Sequence, residues 1–154
     1  MTRAKLSVET RQLVVSDEMA WRKLWTAYLK FYGTSLPEEI YKSTFKRLLG
    51  DDVRDFSCLL AIVNNQPVGL AHYVFHRHGW KIEDVCYLQD LYTDPDVRGL
   101  GVGRKLIQAI YDIAKSRGTR TVYWHTQKQN TQARALYDKI AHKTDFIKYD
   151  GAVV

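Results

Sequence analysis

A strand that runs straight into a glycine-punctuated turn, and from there into a helix, limits the folds open to this chain more than any other feature. The stretch is Leu88–Ile107, LQDLYTDPDVRGLGVGRKLI, with its turn at Arg98-Gly-Leu-Gly-Val-Gly103. Glycines let a backbone approach an anion closely, and amides at a helix N-terminus point at it with the positive end of the helix dipole. A strand followed by a crossover helix calls for a second, parallel strand beyond it. The run Thr121–Thr126 is the candidate, and the chain between is long enough for a right-handed crossover.

The rest of the chain extends that unit. Leu6–Val15 reads as a first strand. Asp17 is placed to cap a helix whose apolar positions Trp21, Leu24, Trp25, Tyr28 and Phe31 follow the 3.6-residue period, with Gly33 at its end. Ser35-Leu-Pro-Glu38 has the form of a capping box, opening a helix that stops at Gly50. Phe56–Val63 and Pro67–Phe75 flank Asn64-Asn65-Gln66 as a hairpin, and Val85–Thr93 is the next strand. A helix from Gly103 to Arg117, a strand at Thr121–Thr126, a short helix at Thr131–Ile140 and a strand at Asp145–Tyr149 complete the order β-α-α-β-β-β-α-β-α-β. This order implies an α/β fold, a mixed sheet with helices on both faces, in one domain spanning residues 1–154.

Composition fits that reading and narrows the partners. A chain of 154 residues with 45% hydrophobic and 26% charged residues suits one soluble core. The net charge of +6 suits an anionic ligand, but the basic residues form no long run, which argues against nucleic acid. Cys58 and Cys86 sit in strand-like apolar runs and read as reduced core residues of a cytoplasmic protein. With no CxxC, no Cys/His cluster, no signal region and no membrane-length apolar run, neither metal nor membrane is expected.

Two nucleotide-binding readings of the turn fail. A dinucleotide fingerprint needs GxGxxG spacing and an acidic residue about 20 positions on; here the spacing is GxGxG and the next strand reaches His125. A Walker loop needs GK[ST], and Gly103-Arg104-Lys105 does not supply it.

The context of the turn is more specific. Arg98-x-x-Gly101-x-Gly103 follows a strand ending Asp90-Leu-Tyr-Thr93, and about thirty residues downstream comes Asn130-x-x-Ala133-x-x-Leu136-Tyr137. This combination resembles the GNAT superfamily of N-acetyltransferases over nearly the whole chain. Within it, Leu88-Gln-Asp-Leu-Tyr92, Trp25-x-x-Tyr28-x-x-x-Tyr32 and the Asn130–Tyr137 helix are most similar to the diamine (spermidine/spermine) and yeast-type histone/polyamine acetyltransferases.

The resemblance implies acetyl-CoA as cofactor and direct transfer to a primary amine: a polyamine, a lysine side chain or a small amine. It implies that the turn from Arg98 through Gly99, Gly101, Val102 and Gly103 to Arg104 holds the pyrophosphate. Leu91, Tyr92 and Thr93 would line the pantetheine arm, Leu91 and Thr93 pairing with it as an added strand. Asn130 would bond the pantetheine, and Tyr137 would lie beside the thioester sulfur as the acid that protonates the departing thiolate. A backbone amide near Leu91 would stabilise the oxyanion. Many relatives form homodimers, and the apolar end Ala152-Val-Val154 is a candidate contact.

The proton acceptor is the open point. Close relatives carry Glu where this chain has Gln89, and glutamine cannot act as a base. Asp90 is the adjacent catalytic candidate, although strand alternation turns it to the face opposite Gln89. Glu83, Asp84, His76 and His125 are further candidates acting through water. Tyr28, Tyr32, His76 and Gln89 are the candidate acceptor-site residues, while His72 reads as a satisfied structural histidine. Gln89 also admits an alternative, a non-catalytic acyl-CoA-binding module.

Overall fold

The computed structural model describes residues 6–154, and its contacts divide the chain into two compact units, one ending at Trp124 and the other His125–Val154. In the first unit the elements are β1 (Glu9–Gln12), α1 (Glu18–Phe31), α2 (Glu38–Leu48), β2 (Ser57–Val63), β3 (Gln66–His76), β4 (Val85–Thr93), α3 (Val102–Ser116) and β5 (Val122–Tyr123). The second unit contributes one helix, α4 (Thr131–Ile140).

The sheet runs β1-β2-β3-β4-β5. Its first four strands pair antiparallel, and β5 lies parallel to β4. The β2–β3 hairpin turns on Asn64 and Asn65, both with left-handed φ (50° and 62°), as a tight hairpin turn requires. Strands β2 and β3 are buried almost throughout, because helices cover both faces.

One face carries α1 and α2. Trp21, Leu24, Trp25 and Leu29 of α1 and Tyr41, Phe45 and Leu48 of α2 pack with Cys58, Leu60, Ile62 and Leu70 of the sheet. Leu29, rather than Phe31, completes the buried stripe of α1; Phe31 is exposed.

The other face carries α3, and a glycine sets how close it comes. A Cβ on Gly69 would lie 2.9 Å from the Tyr92 carbonyl oxygen, 3.1 Å from Val102 Cγ1 and 3.3 Å from Leu106 Cδ1. Gly69 pairs with Thr93 at the end of β4. The missing side chain therefore lets the first turn of α3 sit directly on the sheet where β4 ends.

Several expected local features differ. The Ser35–Glu38 capping box does not form: α2 begins at Glu38 with Pro37 at its N-cap, and the Glu38 carboxylate instead accepts from Arg22 Nη1 at 2.9 Å. Asp17 does hold the N-cap position of α1, but its carboxylate turns back to Arg11 (2.7 and 2.9 Å) and the Val14 amide (2.8 Å). The strand expected at Thr121–Thr126 is only Val122–Tyr123, since it meets β4 only at Cys86 and Tyr87. The strand expected at Asp145–Tyr149 is not formed. Residues 141–154 make no helix or strand, and Phe146, Ile147 and Tyr149 are exposed; a strand needs a hydrogen-bonded neighbour, and alternating apolar residues do not supply one.

Candidate active site

Strand β4 organises the site through an irregularity. Its register with β3 runs His72↔Asp90 and then Tyr73↔Leu88, so Gln89 is an extra residue, a β-bulge. The bulge breaks the alternation that would have sent Gln89 and Asp90 to opposite faces. Both now line one cleft of about 280 Å³. The rest of its wall is Trp25 from α1, Leu36, Phe56, His72 and one stripe of α2: Ile40, Ser43, Thr44 and Arg47. That stripe lies beside the core stripe Tyr41-Phe45-Leu48, so α2 shows one face to the core and the next to the cleft.

Asp90 is buried at this wall and held by aromatic neighbours. Its Oδ2 accepts from His72 Nδ1 at 2.8 Å and from Trp25 Nε1 at 3.2 Å. Burial, together with the nearby Asp90 charge, pushes the Tyr28 pKa up, so Tyr28 keeps its proton. His72 Nε2 accepts from Trp21 Nε1 at 2.9 Å. An indole N–H can only donate, so Nε2 carries no proton and Nδ1 does. His72 is thus a neutral donor to Asp90, with both nitrogens engaged. Among the described residues no lysine or arginine pairs with Asp90.

The expected acceptor-site residues divide. Gln89 stands on the cleft wall. Tyr28 is not part of the cleft lining; its ring lies 5.0 Å, centroid to centroid, from that of Tyr32. His76 lies farther along β3, its ring nitrogens bonded to the Arg77 carbonyl (2.8 Å) and the Tyr123 hydroxyl (2.7 Å), and is not part of the cleft. Sequence reasoning missed Arg47, Ser43 and Thr44, because a polar helix stripe ordinarily means solvent. It also missed the roles of Trp21 and Trp25, whose helical spacing signals core alone.

The donor side begins where β5 leaves β4. Beyond Cys86 and Tyr87, β4 has no strand partner on its β5 edge among the described residues, so Leu91, Tyr92 and Thr93 lie along an open edge. The chain then passes through a short 3-10 turn (Pro95–Val97) to Arg98, Gly99 (φ 87°) and Gly101 (φ 75°), the N-cap of α3. Both glycines are left-handed, a conformation that costs other residues about 1–2 kcal/mol, and the space a Cβ would take is open. The first turn of α3 has no side-chain cap and no acidic residue, which leaves the amides of Val102, Gly103 and Arg104 for an external anion. Open edge and uncapped helix start fit an extended pantetheine arm and a pyrophosphate.

In the second unit Asn130 is the N-cap of α4, its Nδ2 donating to Thr126 Oγ1 at 3.1 Å, and Tyr137 lies two turns on in the same helix.

Residues 19–142 match the acetyltransferase (GNAT) family. The chain belongs to the GNAT family. This acetyltransferase is 41% identical over 134 residues to the D-amino-acid N-acetyltransferase of Saccharomyces cerevisiae, covering 86% of this chain and 83% of that one. It is 30% identical over 90 residues to the thialysine N-epsilon-acetyltransferase of Bos taurus, covering 53% and 52%. Its fold superposes on an aminoglycoside N-acetyltransferase crystallised with CoA at a TM-score of 0.82, with 17% identity and 99% of each chain covered. The protein is therefore an acetyltransferase that uses acetyl-CoA and acts on amines. Among the described residues no helix is long and apolar enough to cross a membrane, and no cluster of ligating side chains could hold a metal.

Proposed function

We propose that this acetyltransferase acetylates the primary amine of a small amino-acid acceptor by direct transfer, with Asp90 holding the amine and taking its proton. The observation that carries this reading is Asp90 itself: a carboxylate at the wall of an aromatic cleft, fixed by His72 and Trp25 and unpaired with any lysine or arginine among the described residues. A buried carboxylate of this kind favours a bound ammonium as its counter-charge. A lysine-type amine has a free pKa of about 10.4, so it arrives protonated and must lose a proton before it can attack. Asp90 next to the bulge supplies the group that Gln89 lacks, which removes the reason for a non-catalytic reading.

Acetyl-CoA supplies the acetyl group as a thioester. The amides of the Gly99–Arg104 turn would hold the pyrophosphate, and the open edge of β4 at Leu91–Thr93 would align the pantetheine arm; in the second unit, Asn130 is the residue that the family resemblance assigns to the pantetheine. The same resemblance assigns Tyr137, also in the second unit, as the proton donor for the departing thiolate. Direct transfer is supported by the state of the cysteines. Both are buried, and burial pushes the Cys86 thiol up to about 12 and raises Cys58 as well, so neither is a ready nucleophile. The amino-acid acceptor is supported by the substrate named for the yeast relative.

Incubation with acetyl-CoA and a panel of free amino acids tests the reading. Thiol release matched by a mass increase of one acetyl group on the amino acid is expected. Turnover confined to polyamines or protein lysines would discard it.

A further inference from the structure

We propose that Arg47 is the specificity-determining residue of the acceptor cleft, binding the carboxylate of an α-amino acid with an apolar side chain while Asp90 holds the amine. This rests on the role given to Asp90 above.

Among the described residues four arginines are held in ion pairs. Arg11 is paired with Asp17, Arg22 with Glu18 and Glu38, Arg54 with Asp52 and Arg77 with Asp84. Arg47 has no such partner among the described residues, yet its side chain lines the cleft. Its place follows from helical spacing: Ile40, Ser43, Thr44 and Arg47 fall on one face of α2, and that face is the cleft wall. A guanidinium offers a planar fork of donors that matches a carboxylate, which makes arginine suited to this task.

The charges of the cleft describe the acceptor. One cation, Arg47, and one carboxylate, Asp90, line it, and His72 is neutral by its hydrogen bonds. A zwitterion satisfies both. A polyamine bound at Asp90 would bring a second ammonium toward Arg47 with no second carboxylate to receive it. The apolar part of the wall is Leu36, Ile40, Phe56 and Trp25, which favours an apolar side chain. The volume of about 280 Å³ lies just below the range of about 300–1,000 Å³ typical of drug-sized ligands, and so suits a single amino acid.

The test compares phenylalanine, as each enantiomer, with phenethylamine, which has the same ring and amine but no carboxylate. The wild-type enzyme should favour the better enantiomer over phenethylamine in kcat/KM by about 10- to 100-fold, the value of a charged hydrogen bond. Arg47→Met should lower kcat/KM for phenylalanine by that factor and leave phenethylamine within about twofold, and Arg47→Lys should restore part of the loss. Arg47 is exposed and methionine is a good helix former, so the variant should fold. Equal losses on both compounds, or no loss on either, would overturn the assignment. Acetylation of spermidine but of neither compound would overturn it while leaving Asp90 its role. Full turnover of phenylalanine by Asp90→Asn would instead remove the reading on which it rests.

Discussion

Trp21 donates its indole N–H to Nε2 of His72 at 2.9 Å, and this one bond determines which nitrogen of His72 carries the proton. Nδ1 must then be the donor to Asp90. A residue read from spacing as core thereby orients the carboxylate of the active site. The long-range nitrogen–proton spectrum of His72 should show Nδ1 protonated and Nε2 bare. Trp21→Phe should give a mixture of tautomers, lower kcat and leave KM for acetyl-CoA unchanged. Protonated Nε2 in the wild-type spectrum would refute the arrangement.

Gly69 couples packing to the donor site. Gly69→Ala places a methyl against the Tyr92 carbonyl, Val102 and Leu106, all closer than ordinary contact. Overpacking of this kind costs about 1–3 kcal/mol. The shift falls on β4's open edge and α3's first turn, so KM for acetyl-CoA should rise along with a lower Tm. A lower Tm with KM unchanged would show that the close approach serves stability alone.

Asp17 gives the fold a defined acid sensitivity. Hydrogen bonds from Arg11, and then from the Val14 amide, hold its carboxyl below the usual range. A lowered folded-state pKa adds stability that is fully present above the unfolded value of about 3.9 and fades as pH falls through the folded value. Asp17→Asn should therefore destabilise the protein by about 1–2 kcal/mol at neutral pH, with the difference from wild type shrinking below pH 4. Chemical denaturation at pH 7 and pH 3 measures both. A difference that stays constant across that range would exclude the ion pair as the cause.

Much of this was legible in the sequence. Val85–Thr93 and Thr131–Ile140 are found at their expected bounds, because an apolar run before a proline turn and a periodic run after an asparagine are strong local signals. The glycine turn and the start of α3 follow from φ requirements that few other residues meet. The cleft was not legible. Its form depends on the bulge at Gln89, which no glycine marks, and on an α2 stripe whose polar residues resemble a solvated face. The missing Asp145–Tyr149 strand and the unformed capping box share one lesson. Local preference yields when a partner is lacking, or when another partner such as Arg22 competes better.

Asp90→Asn tests the central claim most directly. The asparagine carbonyl can still accept from His72 and Trp25, so the exchange removes the charge and keeps the frame. Loss of a positioned proton acceptor costs about 10²- to 10⁴-fold. Steady-state kinetics with a saturating amino acid should show kcat/KM for the amine falling by at least about 100-fold, with KM for acetyl-CoA and Tm held near wild type. Turnover within about threefold of wild type, across pH 6 to 9, would contradict the assignment of Asp90 as the group that holds and deprotonates the acceptor amine.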